Sequence, residues 1–422
     1  MTRIALLPSS YPPSLGGVEE LTRHLALALT EAGDQVEVWT GQTDDSVPET
    51  VEIRDQLVVR RLPMPLPATN WSAIYRSITT GPRTLFSLRS AVAAFRPDVL
   101  HVQCFGPNGT YAAMLSRITG IPLVVTLQGE TVMDDGDIFH TSRVLRHSLR
   151  SGLRTAAVVT GCSEFTLADA EERFGLVPGR GVVIPNGVEL RHEPAENLPP
   201  ADAAPTERNG DVDKGASDWR DRPYILALGR VVEKKGFDLL IAAYAAVEDH
   251  GRTADLVIAG VGPALEDLKG QAVALGVADR VHFAGRLDRD QVAESMTGAE
   301  LFIMPSRLEP FGIVVLEAWR AGVAVVATSR GGPPEFVHDG EDGVLVDPFD
   351  TATFSTVLSD LLRDTHRRHA IAAAGRARVD AFSWPSIADR YRQLYSSLSD
   401  RGGDKAPEGN SANHSRREES IR

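Results

Sequence analysis

The chain has 422 residues, 42% of them hydrophobic and 24% charged, with a formal net charge of −13. That length exceeds one ordinary hydrophobic core, so two domains are expected. The acidic balance excludes a general nucleic-acid binder, which needs a basic footprint to meet phosphates, but leaves room for a local basic groove holding a phosphorylated ligand.

In chain order, residues 4–8 read as a buried strand. The glycine-rich turn Ser14-Leu15-Gly16-Gly17 follows, then a helix over residues 20–32 with Leu21, Leu25, Ala28 and Leu29 on one face and Gly33 as its C-cap. No basic-then-apolar leader pattern is present, and no apolar run approaches the ~20 residues that span a bilayer. A cytoplasmic protein is the expectation, with a contact to the inner face of the membrane as an addition. Further strands are expected at 35–40, 99–103, 123–127 and 157–160, with helices around 111–119 and over 164–174. Cys104 and Cys162 both lie in apolar surroundings and read as small buried hydrophobes, and no Cys/His spacing suggests zinc.

Residues 143–154 form a basic amphipathic pattern, with Arg143, Arg146, His147, Arg150 and Arg154 set among Val144, Leu145, Leu149 and Leu153. The pattern fits a core-packing helix with a solvated basic face. It also fits a helix that meets an anionic lipid surface or a phosphorylated acceptor.

Residues 193–221 are rich in Ala, Pro, Asp and Gly, with too few large apolar side chains to pack, and read as a disordered low-complexity insertion. The alternation then restarts, with strands at 224–228, 255–259, 281–284, 301–304 and 323–327, each followed by a helix. A helix over 384–398 closes the folded part, and a polar tail runs from 401 to 422. Uniformly apolar strands alternating with helices mean two doubly wound α/β domains with parallel sheets, residues 1–190 and 222–382. In such sheets ligands sit outside the carboxyl ends of the strands, so the unusual loops should converge on a cleft between the domains.

The loop residues supply the chemistry. Glu309 and Glu317 bracket a Phe311-Gly312 turn between a short buried strand and a helix. A helix N-terminus opening there is an anion site, because its first N–H groups lack partners. Arg230 leaves a strand, and Lys235 opens the next helix. An Arg fork and a Lys point charge can clamp a diphosphate, although a solvated loop face accounts for the pair equally well when it is taken alone. Gly16 and Gly17 let backbone approach a phosphate or sugar, or simply form a tight turn. Asp135-Gly136-Asp137 has the spacing of a metal-binding pair, but Arg and Lys can carry that charge, so no metal is required.

Six motifs in order then give a family resemblance over residues 3–398: Gly16-Gly17, Val183-Ile184-Pro185-Asn186-Gly187-Val188, Gly229-Arg230 with Lys235-Gly236, Ala259-Gly260-Val261-Gly262-Pro263, Phe283-Ala284-Gly285-Arg286, and Glu309 through Glu317. Together they resemble the retaining glycosyltransferases of family GT4, with the GT-B fold of two facing Rossmann-like domains. The resemblance implies an N-terminal acceptor domain, a C-terminal nucleotide-sugar domain (Gly262 among its donor-site glycines), and a helix over 383–400 returning to the first domain. It implies phosphate roles for Arg230 and Lys235, sugar hydroxyls on Glu309, and the ribose on Glu317. The backbone N–H groups of Phe311, Gly312 and Ile313 would meet the sugar and distal phosphate, and the base would sit against residues 285–287. A surface ion pair explains Arg286 nearly as well, and Leu287 follows it.

One departure stands out. Relatives carry His-Gly after the strand at 123–127, where this chain has Gln128-Gly129-Glu130. Gln128 donates and accepts hydrogen bonds but does not titrate, which suits a front-face mechanism without a general base there. The expected activity is transfer of a hexosyl group from a UDP- or GDP-sugar to a glycan, lipid-linked or small-molecule acceptor, with no cofactor. The alternatives are a nucleotide-sugar epimerase on the same architecture and a non-catalytic nucleotide-sugar-binding protein.

Overall fold

The computed structural model describes residues 1–12, 16–42, 50–65, 71–133, 138–190, 219–247 and 254–403. Most of the 193–221 insertion, the Asp135–Asp137 loop and the tail beyond residue 403 lie outside these residues.

The first unit runs β1 (Arg3–Pro8), α1 (Gly17–Glu31), β2 (Gln35–Gly41), β3 (Thr50–Arg54), β4 (Leu57–Leu62), α2 (Trp71–Phe95), β5 (Val99–Gln103), α3 (Pro107–Thr119), β6 (Leu123–Leu127), the short helices α4 (Glu130–Met133) and α5 (Ile138–Thr141), α6 (Arg143–Thr155), β7 (Val158–Gly161), α7 (Glu164–Phe174) and β8 (Gly181–Val183). Its strands lie in the order β3-β4-β2-β1-β5-β6-β7-β8. The side chains of β1 alternate strictly. Ala5 and Leu7 enter one core with α3 and α6, while Ile4 and Leu6 enter the other with α1. Burying each Leu in this way contributes roughly 1.5–3 kcal/mol.

The second unit runs β9 (Tyr224–Leu228), α8 (Phe237–Ala246), β10 (Asp255–Ala259), α9 (Leu265–Ala274), β11 (Val281–Gly285), α10 (Arg289–Thr297), β12 (Leu301–Met304), α11 (Ile313–Ala321), β13 (Val325–Thr328), β14 (Val344–Val346), α12 (Thr351–Arg363) and α13 (Thr365–Arg378). The order β11-β10-β9-β12-β13-β14 is parallel throughout. The last helix, α14 (Trp384–Gly403), leaves this unit and packs on the first: Trp384, Ile387, Tyr391 and Tyr395 share a core with Ile4, Leu6, Leu25 and Leu29.

Strand order reverses in each sheet at its first strand, between β1 and β5 and between β9 and β12. The loops leaving those strand pairs diverge and open a crevice, so each sheet places one ligand-binding mouth there.

Several local features depart from the sequence reading. The first sheet is not wholly parallel, because β3 runs antiparallel to β4 as an edge hairpin. A long helix not expected from the sequence, α2, begins at Trp71 and carries Pro82 inside it, where the missing N–H breaks the usual pattern. The strand expected from Val323 starts at Val325, because the Val323 N–H donates to Ala318 O at 3.0 Å and closes the C-terminus of α11. Cys104 and Cys162 are free and buried, as the apolar surroundings indicate.

Candidate active site

The site is built at the β9/β12 switch point. After β9 the chain turns through Gly229 and Arg230, makes a short 3-10 turn at Glu233–Lys235, and enters α8 at Gly236. Gly236 has φ +68°, and a Cβ there would lie 2.1 Å from Pro305 O. The two loops therefore touch backbone to backbone, and only glycine fits. Gly262 has the same function in the loop after β10, where a Cβ would lie 2.2 Å from Val231 O. Arg230 is exposed and Lys235 half-buried on the loop after β9.

The loop after β12 brings in the carboxylate. Glu309 is 7% exposed, and its Oε2 accepts from Lys235 Nζ at 2.8 Å and from Ser306 Oγ at 2.8 Å. Both bonds fall on one oxygen, so Oε1 has no protein partner among the described residues. The Glu309 backbone is pinned as well: its N–H donates to Arg330 O at 3.1 Å and its carbonyl accepts from Gly332 N at 2.8 Å. Gly312, at φ +92°, starts α11 without a side-chain cap, so the helix opens with bare N–H groups. Phe311 is buried and stacks on Phe336 at 4.7 Å, so its side chain belongs to the core and only its backbone is available to a ligand. Ile313 begins the helix.

Glu317 lies one turn into α11 and is half-buried. Burial pushes its carboxyl above the usual range, against the pull of Arg320 and Arg289. The Glu20 carboxylate of α1 opposes that pull. Gly17 starts that helix with open space around its Cα. Gly16 has a different reason to be glycine. A Cβ there would meet the carboxylate of Glu19 at 2.6 Å, and that carboxylate is held by Ser10 Oγ at 2.7 Å. Arg286 is exposed beyond β11, and Leu287 is half-buried and packs against the core that contains Phe302.

Across the crevice, Gln128 leaves β6. Its Nε2 donates to Gln103 Oε1 at 3.2 Å, and its Oε1 accepts from Asn186 Nδ2 at 2.9 Å. Gly129, at φ +86°, sits against Pro310: a Cβ there would lie 2.2 Å from its Cγ. The two units are thus closed upon each other beside Glu309. Ser163 Oγ donates to Pro310 O at 2.6 Å, and Lys234 Nζ donates to Val132 O at 3.1 Å. The Glu335 carboxylate accepts from Glu164 N and Phe165 N at 2.6 and 2.8 Å, at the opening of α7. Glu130 clamps the floor, accepting from Phe105 N at 2.6 Å and from Gln128 N at 2.7 Å.

The structure therefore brings together Lys235, Glu309, Gly312 and, across the crevice, Gln128. Arg286 stands exposed to solvent and is not joined to this group. Sequence reasoning did not single out Ser306, Gln103, Glu130 or Ser163. Ser306 and Glu130 border the motifs around Glu309 and Gln128, whereas Gln103 and Ser163 carry no signal beyond their place at strand ends.

Among the described residues no cluster of three His, Cys, Asp or Glu side chains could hold a metal, and no helix is long and apolar enough to cross a membrane.

Residues 16–187 match the family of glycosyl transferase 4-like domains, and residues 211–378 match glycosyl transferases group 1. The chain is 29% identical over 406 residues to the GDP-mannose-dependent alpha-(1-6)-phosphatidylinositol monomannoside mannosyltransferase of Mycobacterium tuberculosis, covering 92% of this chain and 96% of that one. It is 35% identical over 262 residues to the enzyme of the same description from Mycolicibacterium smegmatis, an alignment spanning 60% of this chain and 65% of the relative. Among solved structures, Anabaena HepE in complex with UDP superposes with a TM-score of 0.70 at 20% identity, over 94% of this chain and all of that one (100%).

Proposed function

Because this chain belongs to the GT4 glycosyltransferases of the GT-B fold, we propose that it transfers a hexosyl group from a GDP- or UDP-sugar to a glycan, lipid-linked or small-molecule acceptor, with retention at the anomeric carbon. The observation that carries this reading is the Lys235–Glu309–Ser306 cluster set between the openings of α8 and α11. A nucleotide sugar presents a diphosphate beside a ring of hydroxyls. The cluster presents a cation, two helix N-termini, and a carboxylate oxygen free to accept from a hydroxyl, all within one loop pair.

In this mechanism the diphosphate lies against Arg230, Lys235 and the first N–H groups of α11. Glu309 Oε1 accepts from a sugar hydroxyl, and Glu317 holds the ribose. The bond from the anomeric carbon to the phosphate oxygen breaks while the acceptor oxygen bonds to the same carbon from the same face. The acceptor's proton passes to the departing phosphate oxygen. The chain's contribution is charge stabilisation on the leaving diphosphate, aimed before reaction begins. Arg230 and Lys235 carry the charge that a metal would otherwise carry, so the reading is metal-independent. GDP-mannose is the first donor to try, since the relatives at 29% and 35% identity are described as GDP-mannose-dependent.

The acceptor side has its own support. Helices α2, α3 and α6 pack in one layer over the first sheet. Their sequences contain no Asp or Glu and include Arg83, Arg89, Arg117, Arg143, Arg150 and Arg154. Leu145, Leu149 and Leu153 point into the core, so α6 turns Arg143, His147, Arg150 and Arg154 outward. On a chain of net charge −13, a layer without carboxylates favours a peripheral contact with anionic lipid on the cytoplasmic face.

The test is turnover with GDP-mannose and UDP-glucose against a panel of acceptors, with the product's anomeric configuration read by NMR. Retention of the donor's configuration, and loss of transfer in Glu309→Ala, are expected. A Glu309→Ala variant with full activity sinks the site assignment. A donor converted to its epimer without acceptor selects the epimerase, and binding without any turnover selects a silent nucleotide-sugar binder.

A further inference from the structure

Gln128 belongs to a longer chain of hydrogen bonds that runs away from the crevice into the protein. Gln103 accepts from Gln128 through Oε1, and its own Nε2 lies 3.1 Å from His101 Nε2. His101 Nδ1 lies 2.6 Å from Tyr395 OH, on α14. Thr126 Oγ1 stands 2.7 Å from His101 Nε2 and 2.6 Å from Thr160 Oγ1. Gln103 is 3% exposed, and His101, Thr126 and Tyr395 are at 0%. These are costly groups to bury unless each is satisfied.

The chain has one direction. Asn186 donates to Gln128, Gln128 to Gln103, and Gln103 to His101. In this direction the imidazole accepts at Nε2, shared with the Thr126 hydroxyl at 2.7 Å, which leaves its proton at Nδ1 to donate to Tyr395. Burial holds its pKa down to about 3, so it is neutral and has one donor and one acceptor to give. Every amide in the chain is committed on one side, and Gln128 is the only member at the crevice that is not buried. Among the described residues its second Nε2–H has no partner. The loop it stands on is the one that meets Pro310, next to Glu309, through Gly129.

We infer that Gln103 and His101 are positioning residues, which hold the Gln128 amide in the orientation that presents an N–H to the transferred sugar or its phosphate, and which tie that orientation to α14. The inference rests on the glycosyltransferase reading for its kinetic consequence, but not for its geometry. It explains why a non-titrating residue suffices at this position. The donor is aimed by a buried neutral network instead of by its own charge.

Two measurements test it. The first is release of GDP from GDP-mannose and of UDP from UDP-glucose by Gln128→Leu, Gln103→Leu and the double variant. Loss of one neutral hydrogen bond from a reacting group is expected to lower kcat about tenfold in either single variant, with KM nearly unchanged. The double variant should fall no further, because Gln103 acts only through Gln128. Gln103→Glu, which keeps an acceptor for Gln128 but loses the N–H that reaches His101, should restore part of the rate. Losses that add in the double variant, or a Gln128→Leu enzyme with the parent rate, overturn the inference.

The second needs no donor. The ¹⁵N spectrum of the imidazoles, with His101 assigned by the signals lost in His101→Gln, reads its tautomer directly. An Nδ1–H ring is expected, and an Nε2–H ring overturns the chain's direction. If the parent protein releases nucleotide from neither donor, the transferase reading fails at that step, while the tautomer still decides the network.

Discussion

Lys235 Nζ stands 2.8 Å from Glu309 Oε2 although 74 positions separate the two residues. They meet because β9 and β12 are neighbours at the point where the strand order reverses. The pair gives a nearly buried carboxylate a partner while no substrate is present and holds an amine beside it. A diphosphate arriving here would share Lys235 with Glu309 rather than find it committed elsewhere.

Removing either partner should therefore cost more than a surface ion pair would. Lys235→Ala leaves Glu309 with Ser306 as its remaining side-chain partner and is expected to lower stability by about 1–3 kcal/mol in denaturant unfolding. Nucleotide-sugar turnover should fall by roughly a hundredfold or more, the scale of losing one preorganised stabilising group. Glu309→Gln should lose turnover to a similar extent with less loss of stability, since the amide oxygen still accepts from Lys235. Equal stability of Lys235→Ala and the parent protein would contradict a structural role for the pair.

Gly236 and Gly276 make a controlled comparison. Both have positive φ, +68° and +70°, but a Cβ on Gly236 meets Pro305 O at 2.1 Å whereas one on Gly276 meets nothing within 4 Å. Gly276→Ala is expected to cost about 1 kcal/mol, the left-handed penalty alone. Gly236→Ala adds a backbone clash that no rotamer relieves, and should cost at least about 2 kcal/mol more and weaken nucleotide binding. Unfolding curves for the two variants measured side by side settle this.

Glu317 separates stability from binding. Burial raises its pKa, so the folded protein takes up a proton before the unfolded chain does. For a carboxyl raised in the folded state, ionisation works against folding. Its contribution is least favourable at neutral pH, improves as pH falls through the folded pKa, and is complete below the unfolded value of about 4.5. Glu317→Gln should thus raise the melting temperature of the ligand-free protein at pH 7. If this residue holds the ribose, the same variant should weaken GDP or UDP binding about tenfold, which is about 1.4 kcal/mol. A lowered melting temperature at pH 7 would refute the burial argument.

His101 acts in the opposite direction. Its pKa is held down to about 3 in the folded state, against an ordinary value of 6.5. The unfolded chain binds a proton below pH 6.5 that the folded one refuses. Stability attributable to this residue is full above that pH and falls by about 1.4 kcal/mol per pH unit as pH drops toward 3. A His101→Gln variant should show a shallower loss of stability between pH 6 and 4. An unchanged slope would place the acid sensitivity elsewhere.

The basic layer predicts salt-dependent binding to lipid. Co-sedimentation with phosphatidylglycerol vesicles is expected at low salt and lost at high salt, with no binding to phosphatidylcholine. Replacing Arg143, Arg150 and Arg154 with Glu should abolish it at little cost in melting temperature, because these side chains face outward on α6 and the bond given up among the described residues is the exposed one from Arg150 Nη2 to Arg173 O at 3.1 Å. Vesicle binding that survives the triple substitution would reassign the contact.

The sequence by itself determined most of the scaffold and the loops that matter. The strands β5, β6, β9, β10 and β12 were legible because each is a short, fully or almost fully buried stretch dominated by apolar residues, with His101, Gln103, Thr126 and Asp255 as the polar exceptions. Such runs are what a parallel sheet covered on both faces requires. Arg230, Lys235 and Glu309 were legible because they lie in the loops that follow those runs, and Glu317 because it lies in the helix that follows the last of them. The hairpin of β3 and β4 was not: β3 is exposed or half-buried at the sheet edge and β4 buries only alternate residues before Arg60-Arg61, so no continuous apolar pattern marks them. The reach of α2 across Pro82 was not legible either, since local propensity argues against what the surrounding core enforces.

Only the tertiary structure decided who meets whom. That Lys235 pairs with Glu309, that Glu335 closes over the opening of α7, and that Gln128 is held by Gln103 and Asn186 all depend on strand order and on the closure of one domain upon the other. Local sequence carries the period of each element. It does not carry strand order or domain closure, because both are set by contacts between residues far apart in the chain.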